Sequence, residues 1–364
     1  MPVVGSVHAR ALSVPLHTPF VTALRRTSTI DTLLVEVRTD DGITGLGEAP
    51  QVWAVTGESV AGAAACVQQV LAPLIVGRQL DDWADIAASL AGACARNFGA
   101  KAAVETGLLD ALARSSGLPF AHLLADIAGL PRPLLEVPTD VTVSAGEPNE
   151  LARAAVARVA EGFGRLKLKV GTDAATDVAR VAAVRAAVGP DIGIRLDANQ
   201  GWTPEQAVDV IVALTAAGLG IELVEQPVPA DDVEGLAWVR QRADVPIMAD
   251  ETVYGERELE RVIRLGAADA VNVKLAKCGG PLTALRMLRR AREAGLGTMV
   301  GSMMESHVGV AAAASVVAAV GTSSVSDLDA AWWTAASPYV GGPSYERGMV
   351  KLPTTPGLGI SAPR

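Results

Sequence analysis

From about residue 136 onward, short apolar runs alternate with stretches of helical periodicity. This alternation constrains the fold more than any other feature, because strands that alternate with helices build a parallel sheet. Runs typical of buried strands lie at 137–145, 165–170, 192–197, 221–225, 245–250, 270–275, 296–302 and 324–329. Strands that are each followed by a helix or a short connection favour a closed (β/α) barrel over an open sheet.

The first third of the chain has a different pattern. Two alternating apolar runs within 31–49 flank Asp41 and Gly42, a dipeptide typical of a hairpin turn. Helical patterns then follow at about 57–75, 81–94 and 99–115. A small antiparallel sheet followed by helices predicts an α+β unit.

These two patterns predict two domains. Residues 1–125 would form an α+β capping domain, completed by the Gly- and Pro-rich tail 340–364, which could return to the N-terminal sheet. Residues 126–339 would form the barrel. The apolar segment 308–320 is too short and too rich in alanine for a membrane span, and it predicts a buried barrel helix.

Composition excludes several classes of function. The formal net charge is −9 and no basic run occurs, which argues against a nucleic-acid partner. We expect no signal peptide and no membrane partner. The 3 cysteines are scattered, which fits reduced thiols and a cytoplasmic location, and the 4 histidines lack zinc spacing. No GxGxxG follows a strand, which weakens a dinucleotide-binding interpretation.

Ionisable residues stand where the predicted barrel strands end. In chain order they are Lys167 and Lys169, Asp197, Glu225, Asp250 and Glu251, Lys274, Glu305, and Asp327 and Asp329. The C-terminal ends of barrel strands meet at one rim, which is where such barrels hold their active sites. Because charged groups at the ends of apolar runs are costly when isolated, we expect these groups to meet one another.

Three of these carboxylates end successive strands and predict a metal site. Asp197, Glu225 and Asp250 would repel one another unless a cation neutralised them. Oxygen ligands select a hard cation, which points to Mg²⁺. The alternative is a set of structural salt bridges between these acids and the lysines.

The lysines flank the three carboxylates, on the second and sixth predicted strands. A substrate held between Lys169 and Lys274 would present one face to each, which suits removal of a proton from one face of a carbon and its return to the other. Lys167 would help to keep Lys169 deprotonated and would hydrogen-bond a substrate carboxylate. A Schiff-base lysine, as in aldolases, is the competing chemistry, but it needs no set of three carboxylates.

The motifs KLK, DANQ, VEQP, ADE and VNVKLAKCGG resemble those of the enolase superfamily, muconate-lactonizing subgroup. The resemblance covers nearly the whole chain, including GLGEAP at 45–50 and PGLGI at 356–360. It implies an α+β cap over a modified (β/α)₇β barrel of TIM type. It also implies Mg²⁺ on Asp197, Glu225 and Asp250, with Lys169 and Lys274 as acid/base groups. Metal and Lys167 would then stabilise an enediolate.

Peripheral motifs resemble those of dipeptide epimerases. Asp327-Leu328-Asp329 resembles the Asp-x-Asp pair that holds the dipeptide ammonium group, and Arg25 matches the arginine that meets a glutamate side chain. The resemblance therefore implies epimerisation of the C-terminal residue of L-Ala-D/L-Glu, with a role in murein peptide metabolism. Glu305 is assigned to the substrate, and Asn199 and Glu251 to support of the metal ligands.

Several alternatives stay open at this point. An N-acylamino acid racemase, an o-succinylbenzoate synthase, a muconate cycloisomerase and a catalytically lapsed barrel share the core motifs. Trp332 and Trp333 stand where the family has smaller aliphatic residues, and they would either narrow the pocket or pack the junction between barrel and cap. A homo-oligomer is possible.

Overall fold

The computed structural model describes residues 2–22 and 25–361. The strands are β1 (Val4–Val21), β2 (Arg26–Thr39), β3 (Thr44–Pro50), β4 (Glu136–Pro138), β5 (Val141–Val143), β6 (Arg165–Lys169), β7 (Gly193–Asp197), β8 (Ile221–Glu225), β9 (Ile247–Ala249), β10 (Ala270–Lys274), β11 (Gly297–Gly301), β12 (Val340–Gly341), β13 (Ser344–Glu346), β14 (Met349–Lys351) and β15 (Ile360–Ser361). The α-helices are α1 (Val60–Cys66), α2 (Ala72–Ile75), α3 (Trp83–Gly92), α4 (Phe98–Ser115), α5 (Phe120–Ala128), α6 (Pro148–Ala160), α7 (Ala174–Val188), α8 (Pro204–Ala216), α9 (Val233–Arg240), α10 (Glu256–Leu265), α11 (Leu275–Cys278), α12 (Pro281–Glu293) and α13 (His307–Val320).

The predicted barrel is confirmed as a curled sheet of 7 parallel strands, β5 to β11, in sequential order. The gap between β11 and β5 is closed by the segment 324–329, through single bridges from Gly301 to Asp327 and from Thr139 to Ser326. Backbone hydrogen bonds from Asp327 N to Val300 O (3.0 Å) and from Ser302 N to Asp327 O (2.9 Å) fasten one side of this segment. Every strand end of the barrel therefore points to one rim.

Two of the predicted strands were wrong in detail. The run at 137–145 is divided, because β4 turns away to pair with β14 and only β5 joins the barrel. The run at 324–329 forms no strand, since it touches each neighbour through one bridge only. Its polar SVSDLD sequence places Asp327 and Asp329 at the rim instead of continuing a ladder.

The segment 308–320 is confirmed as a buried helix, α13, which packs against β11 and α5. Glu48 of β3 accepts hydrogen bonds from Ser306 N (2.7 Å), Ser306 Oγ (2.6 Å) and Gly309 N (2.8 Å) at the start of this helix. A carboxylate satisfies the free N–H groups of a helix N-terminus and interacts well with its dipole. Glu48 therefore ties the N-terminal sheet to the loop at 302–306.

None of the helices in 2–22 and 25–361 has both the length and the apolar character that crossing a lipid bilayer requires.

The N-terminal hairpin turns at Asp41 and Gly42 as predicted, and β1, β2 and β3 form an antiparallel sheet. Helix α4 lies directly on β3. A Cβ added at Gly47 would lie 1.8 Å from the Ala103 carbonyl oxygen, and one added at Gly45 would lie 2.0 Å from the Gly107 oxygen. The glycines of GLGEAP therefore permit a contact between backbones that a side chain would prevent.

The C-terminal tail contacts α4. Asp110 of that helix accepts hydrogen bonds from Leu358 N (2.6 Å) and Leu46 N (2.8 Å), so that one carboxylate joins helix, sheet and tail. The described part of the tail does not add a strand to the β1–β3 sheet; β12 pairs with β15, and β13 and β14 form a sheet with β4. The domain boundaries near 125 and 340 stay a prediction.

Gly47→Ala is expected to lower the free energy of unfolding by about 3 kcal/mol, because the new methyl group meets backbone that cannot rotate away. Urea denaturation measures this loss. Gly92→Ala is the matched control, since a Cβ at this position in α3 meets nothing within 4 Å and should leave stability equal or slightly higher. Equal stability of the two variants would contradict the close contact between β3 and α4.

Candidate active site

The alternating sequence of β6 puts its leucines and lysines on opposite faces of the strand. Leu166 and Leu168 pack in the main apolar core. Lys167 and Lys169 are also buried, but their ammonium groups lie among carboxylates from other strands. Charge pairing inside the barrel is what allows two neighbouring lysines to share one buried face.

Lys167 stands at the centre of three carboxylates. Its Nζ lies 2.7 Å from Glu225 Oε2, 2.7 Å from Asp327 Oδ2 and 3.2 Å from Asp197 Oδ2. Burial lowers the pKa of Lys167, but the carboxylates outweigh burial and raise this pKa well above its usual range. Lys167 is therefore a fixed positive charge that holds these acids together.

Lys169 and Lys274 approach the rim from opposite sides. Lys169 Nζ donates to Asp197 Oδ2 at 2.6 Å, and Lys274 Nζ donates to Asp250 Oδ2 at 2.8 Å. In the sheet, β7, β8 and β9 lie between the two strands that carry them. Burial lowers the pKa of Lys274, but Asp250 raises it, and the net shift is upward.

Sequence reasoning missed two residues that hold this cluster in place. Lys277 Nζ is buried and lies 2.6 Å from Asp250 Oδ1, and Asn272 Nδ2 donates to Glu225 Oε1 at 2.9 Å. Lys277 lies in the short helix α11, about one helical turn after Lys274. Asn272 lies two positions before Lys274, on the same face of β10. These two spacings from Lys274 could have identified both residues in the sequence as neighbours of the active site.

Asn199 and Glu251 join the ends of β7 and β9. Asn199 donates its backbone N–H to Asp197 Oδ1 (2.9 Å) and its side-chain amide to Glu251 Oε1 (3.1 Å). Burial raises the pKa of Glu251 to about 8, and Asp250 adds to the shift. Asn199 Oδ1 and Glu251 Oε2 are buried and have no hydrogen-bond partner in the described parts of the chain. Orphaned oxygens beside a cluster of acids indicate that a further positive or donating group belongs there.

A cavity of about 60 Å³ lies above this cluster. Barrel residues on its wall are Thr142, Lys169, Asn199, Asp250, Glu251, Lys274, Ser302, Met303, Met304, Asp327 and Asp329, and residues from the N-terminal domain are Phe20, Thr22, Arg25 and Val55. The wall thus combines charged and polar groups with apolar side chains.

Asp327 and Asp329 both reach the cavity, but they are held differently. Asp327 Oδ2 accepts a hydrogen bond from Lys167 Nζ at 2.7 Å, whereas Asp329 Oδ2 accepts from Thr142 N at 2.7 Å and from Trp333 Nε1 at 2.9 Å. Burial raises the pKa of Asp327, but Lys167 outweighs it and the net shift is downward. Burial and Asp327 raise the pKa of Asp329. Two neighbouring acids therefore line the cavity.

Arg25 lines the cavity from the turn between β1 and β2. Burial lowers the pKa of its guanidinium group, and no carboxylate within residues 2–22 and 25–361 forms an ion pair with it. A partly buried cation that lacks an ion-pair partner among the described residues suits an anionic ligand.

Glu305 is not brought to the cavity. It is buried behind Met303, whose backbone N–H donates to Glu305 Oε1 at 2.9 Å. Burial raises the pKa of Glu305 to about 8, with Glu48 adding to the shift. Glu305 therefore supports the loop at 302–306, which forms part of the cavity wall. The sequence had suggested contact between Glu305 and the substrate.

The donor set suits a hard divalent cation. Asp197, Glu225 and Asp250 end adjacent strands and are fully buried. Burial raises the pKa of Asp197, but Lys169 and Lys167 lower it to about 2. In this structure the lysine ammonium groups form ion pairs with these carboxylates. The described residues contain no group of three His, Cys, Asp or Glu side chains already arranged to coordinate a metal ion. Burial raises the pKa of Glu225, whereas the neighbouring lysines outweigh burial and lower those of Asp197 and Asp250. The three carboxyl groups and the neighbouring orphaned oxygens nevertheless form an all-oxygen donor set that fits such an ion.

Comparisons with known proteins agree with this geometry. The mandelate racemase / muconate lactonizing enzyme N-terminal domain profile matches residues 6–125, and the enolase C-terminal domain-like profile matches residues 150–363. An L-Ala-D/L-Glu epimerase of Bacillus subtilis (strain 168) is 40% identical over 355 residues, which cover 97% of this chain and 95% of the relative.

Solved structures show the same fold. A substrate-liganded complex of the L-Ala-D/L-Glu epimerase from Bacillus subtilis matches with a TM-score of 0.95 and 38% identity, covering 100% of this chain and 99% of that one. A dipeptide epimerase from Enterococcus faecalis V583, complexed with Mg and L-Leu-L-Tyr, matches with a TM-score of 0.93 and 37% identity, covering 99% and 100%. The chain belongs to the enolase superfamily, in its mandelate racemase / muconate lactonizing enzyme family, as its motifs predicted.

Proposed function

We propose that the protein is a Mg²⁺-dependent epimerase that inverts the C-terminal residue of dipeptides, with L-Ala-D/L-Glu as its substrate. The observation that carries the proposal is the approach of Lys169 and Lys274 to one cavity from opposite sides of three buried carboxylates. The relatives described above act on such dipeptides, and one was solved with Mg and a dipeptide.

Asp197, Glu225 and Asp250 are the residues that would hold Mg²⁺. When bound, Mg²⁺ supplies positive charge that makes the α-proton of a substrate carboxylate more acidic. Lys167 adds a second fixed positive charge beneath the same point. Asn272 and Lys277 orient Glu225 and Asp250 through direct contacts.

Proton transfer is assigned to the two lysines on the cavity wall. One lysine, in its neutral form, takes the α-proton from one face of the C-terminal residue. The other, as an ammonium group, returns a proton to the opposite face and so inverts the centre. By family resemblance, Lys169 and Lys274 exchange these roles between the two stereoisomers.

Charged side chains on the cavity wall suit the charged groups of L-Ala-L-Glu. Asp327 and Asp329 provide negative charge for the dipeptide ammonium group, which an N-acylated amino acid lacks. Arg25 provides a planar guanidinium group on the cavity wall for the glutamate side chain. Phe20, Val55, Met303 and Met304 give the wall an apolar component, which makes hydrophobic dipeptides the second candidate substrate class.

We further propose a cytoplasmic location. The cysteines are free thiols, and the Sγ atoms of Cys66 and Cys94 lie 3.7 Å apart without a bond, which suits a reducing compartment. A role in murein peptide metabolism and a homo-oligomeric state stay predictions. Size-exclusion chromatography with light scattering would test the oligomeric state.

Lys169→Ala and Lys274→Ala should each lower epimerisation of L-Ala-L-Glu by at least about 100-fold, since a positioned acid or base contributes about 10²–10⁴-fold to the rate. Chiral chromatography of the products measures the loss, and circular dichroism checks the fold. Lys351→Ala is the control, because this half-exposed lysine pairs with Glu346 at 2.5 Å and is absent from the cavity wall. Substantial epimerisation by either active-site variant would disprove the assignment of two bases.

Arg25→Leu should lower kcat/KM for L-Ala-L-Glu by about 10- to 100-fold while sparing L-Ala-L-Leu, because it removes a hydrogen bond between charged groups. The measurement is kcat/KM for both dipeptides. Arg26→Leu, at the exposed neighbouring position, is the matched control and should change neither value. An unchanged ratio in the Arg25 variant would remove the glutamate assignment and favour hydrophobic dipeptides.

A further inference from the structure

The two adjacent tryptophans after the Asp327-Leu328-Asp329 motif have different surroundings. Both belong to the 3₁₀ turn Ala330–Trp333. The ring of Trp333 is buried, stacks on His17 at 5.4 Å and meets Phe20 edge-on at 5.3 Å. Trp332 is half-buried. Its ring meets His17 edge-on at 4.7 Å and Trp333 edge-on at 5.3 Å, and the Arg158 guanidinium group lies 4.4 Å from its ring centre.

Only one of the two side chains touches the active-site acids. Trp333 Nε1 donates to Asp329 Oδ2 at 2.9 Å. No hydrogen bond from the Trp332 indole is found in the described parts of the chain, and Trp332 is absent from the cavity wall. Substitution of Trp332 can therefore serve as the control for substitution of Trp333.

Asp329 Oδ2 is held by two N–H groups, from Trp333 and from the backbone of Thr142. Two donors on one oxygen fix the plane of a carboxyl group. Burial raises the pKa of Asp329, and Asp327 raises it further, whereas these hydrogen bonds lower it. The indole therefore both orients Asp329 and favours its charged form, which is the form an ammonium group needs.

Trp333 also supports a second piece of the cavity wall. Phe20, against which it packs, lines the cavity, and the Lys169 Nζ lies 5.8 Å from the centre of the Phe20 ring. The Trp333 side chain thus contacts two residues of the cavity wall, Asp329 and Phe20.

We infer that Trp333 is a positioning residue for the dipeptide ammonium group, which it serves by holding Asp329 through the Nε1–Oδ2 hydrogen bond. The inference rests on the proposed function, since it assigns a residue to the recognition of the same substrate. It differs from a packing role at the junction of cap and barrel, because packing would affect every substrate alike.

The test compares Trp333→Phe with Trp332→Phe on two substrates. L-Ala-L-Glu carries the ammonium group, and N-propanoyl-L-glutamate is the same molecule without it. Trp333→Phe should raise KM for L-Ala-L-Glu by about tenfold with a smaller change in kcat, as expected for a lost hydrogen bond to a charged group. The rate, or the inhibition constant, for N-propanoyl-L-glutamate should not change. Trp332→Phe should leave both substrates unaffected.

A partly unfolded variant does not obscure the result, because both substrates are measured on the same sample and only their ratio is compared. A double-mutant cycle with Asp329→Asn adds a second readout. If Trp333 acts through Asp329, Trp333→Phe should cause no further loss of discrimination in the Asp329→Asn background.

An equal loss for both substrates in Trp333→Phe, or a full additional loss in the Asp329→Asn background, would overturn the inference and leave the proposed function intact. Absence of L-Ala-L-Glu turnover by the wild-type protein would overturn both.

Discussion

The structure depends on charge compensation at the C-terminal rim of the barrel. Removing several carboxylates from water is costly unless each meets a cation or a hydrogen-bond donor. Here Lys167, Lys169, Lys274 and Lys277 reach Asp197, Glu225, Asp250 and Asp327 within 3.2 Å. Because the lysines and acids come from different strands, the cluster forms only when the barrel closes, and it keeps both acids and bases in place for chemistry.

The cap and the barrel contribute different parts of the same cavity. The barrel supplies the acids and lysines, whereas the end of β1 supplies Phe20 and the turn after it supplies Arg25. Glu48 links the two, because it reaches from β3 to the N-terminus of α13 and so fixes the loop that carries Met303 and Met304. The cavity therefore combines charged groups fixed by the barrel with side chains supplied by the cap.

The sequence predicted the barrel, the hairpin and the charged strand ends because each follows from local periodicity and from residues that are expensive to bury alone. It did not predict that the run at 137–145 divides, since pairing of β4 with β14 is a contact between distant parts of the chain. Nor did it identify Lys277 or Asn272, whose contacts with Asp250 and Glu225 depend on how side chains turn in the folded chain, and it left two roles open for Trp333, which donates to Asp329. A strand-end position likewise does not tell which way Glu305 turns; its carboxylate accepts from Met303 N, and its contact with the substrate stays a prediction.

Proton NMR of L-Ala-L-Glu in D₂O, with the wild-type protein and Mg²⁺, tests the central claim most directly. The account requires that the α-proton signal of the glutamate residue disappears while the alanine α-proton stays, and that signals of the D-glutamate epimer appear with deuterium at the inverted centre. Retention of the glutamate α-proton, or exchange without any D-epimer, would contradict proton transfer between two lysines on opposite faces of the substrate.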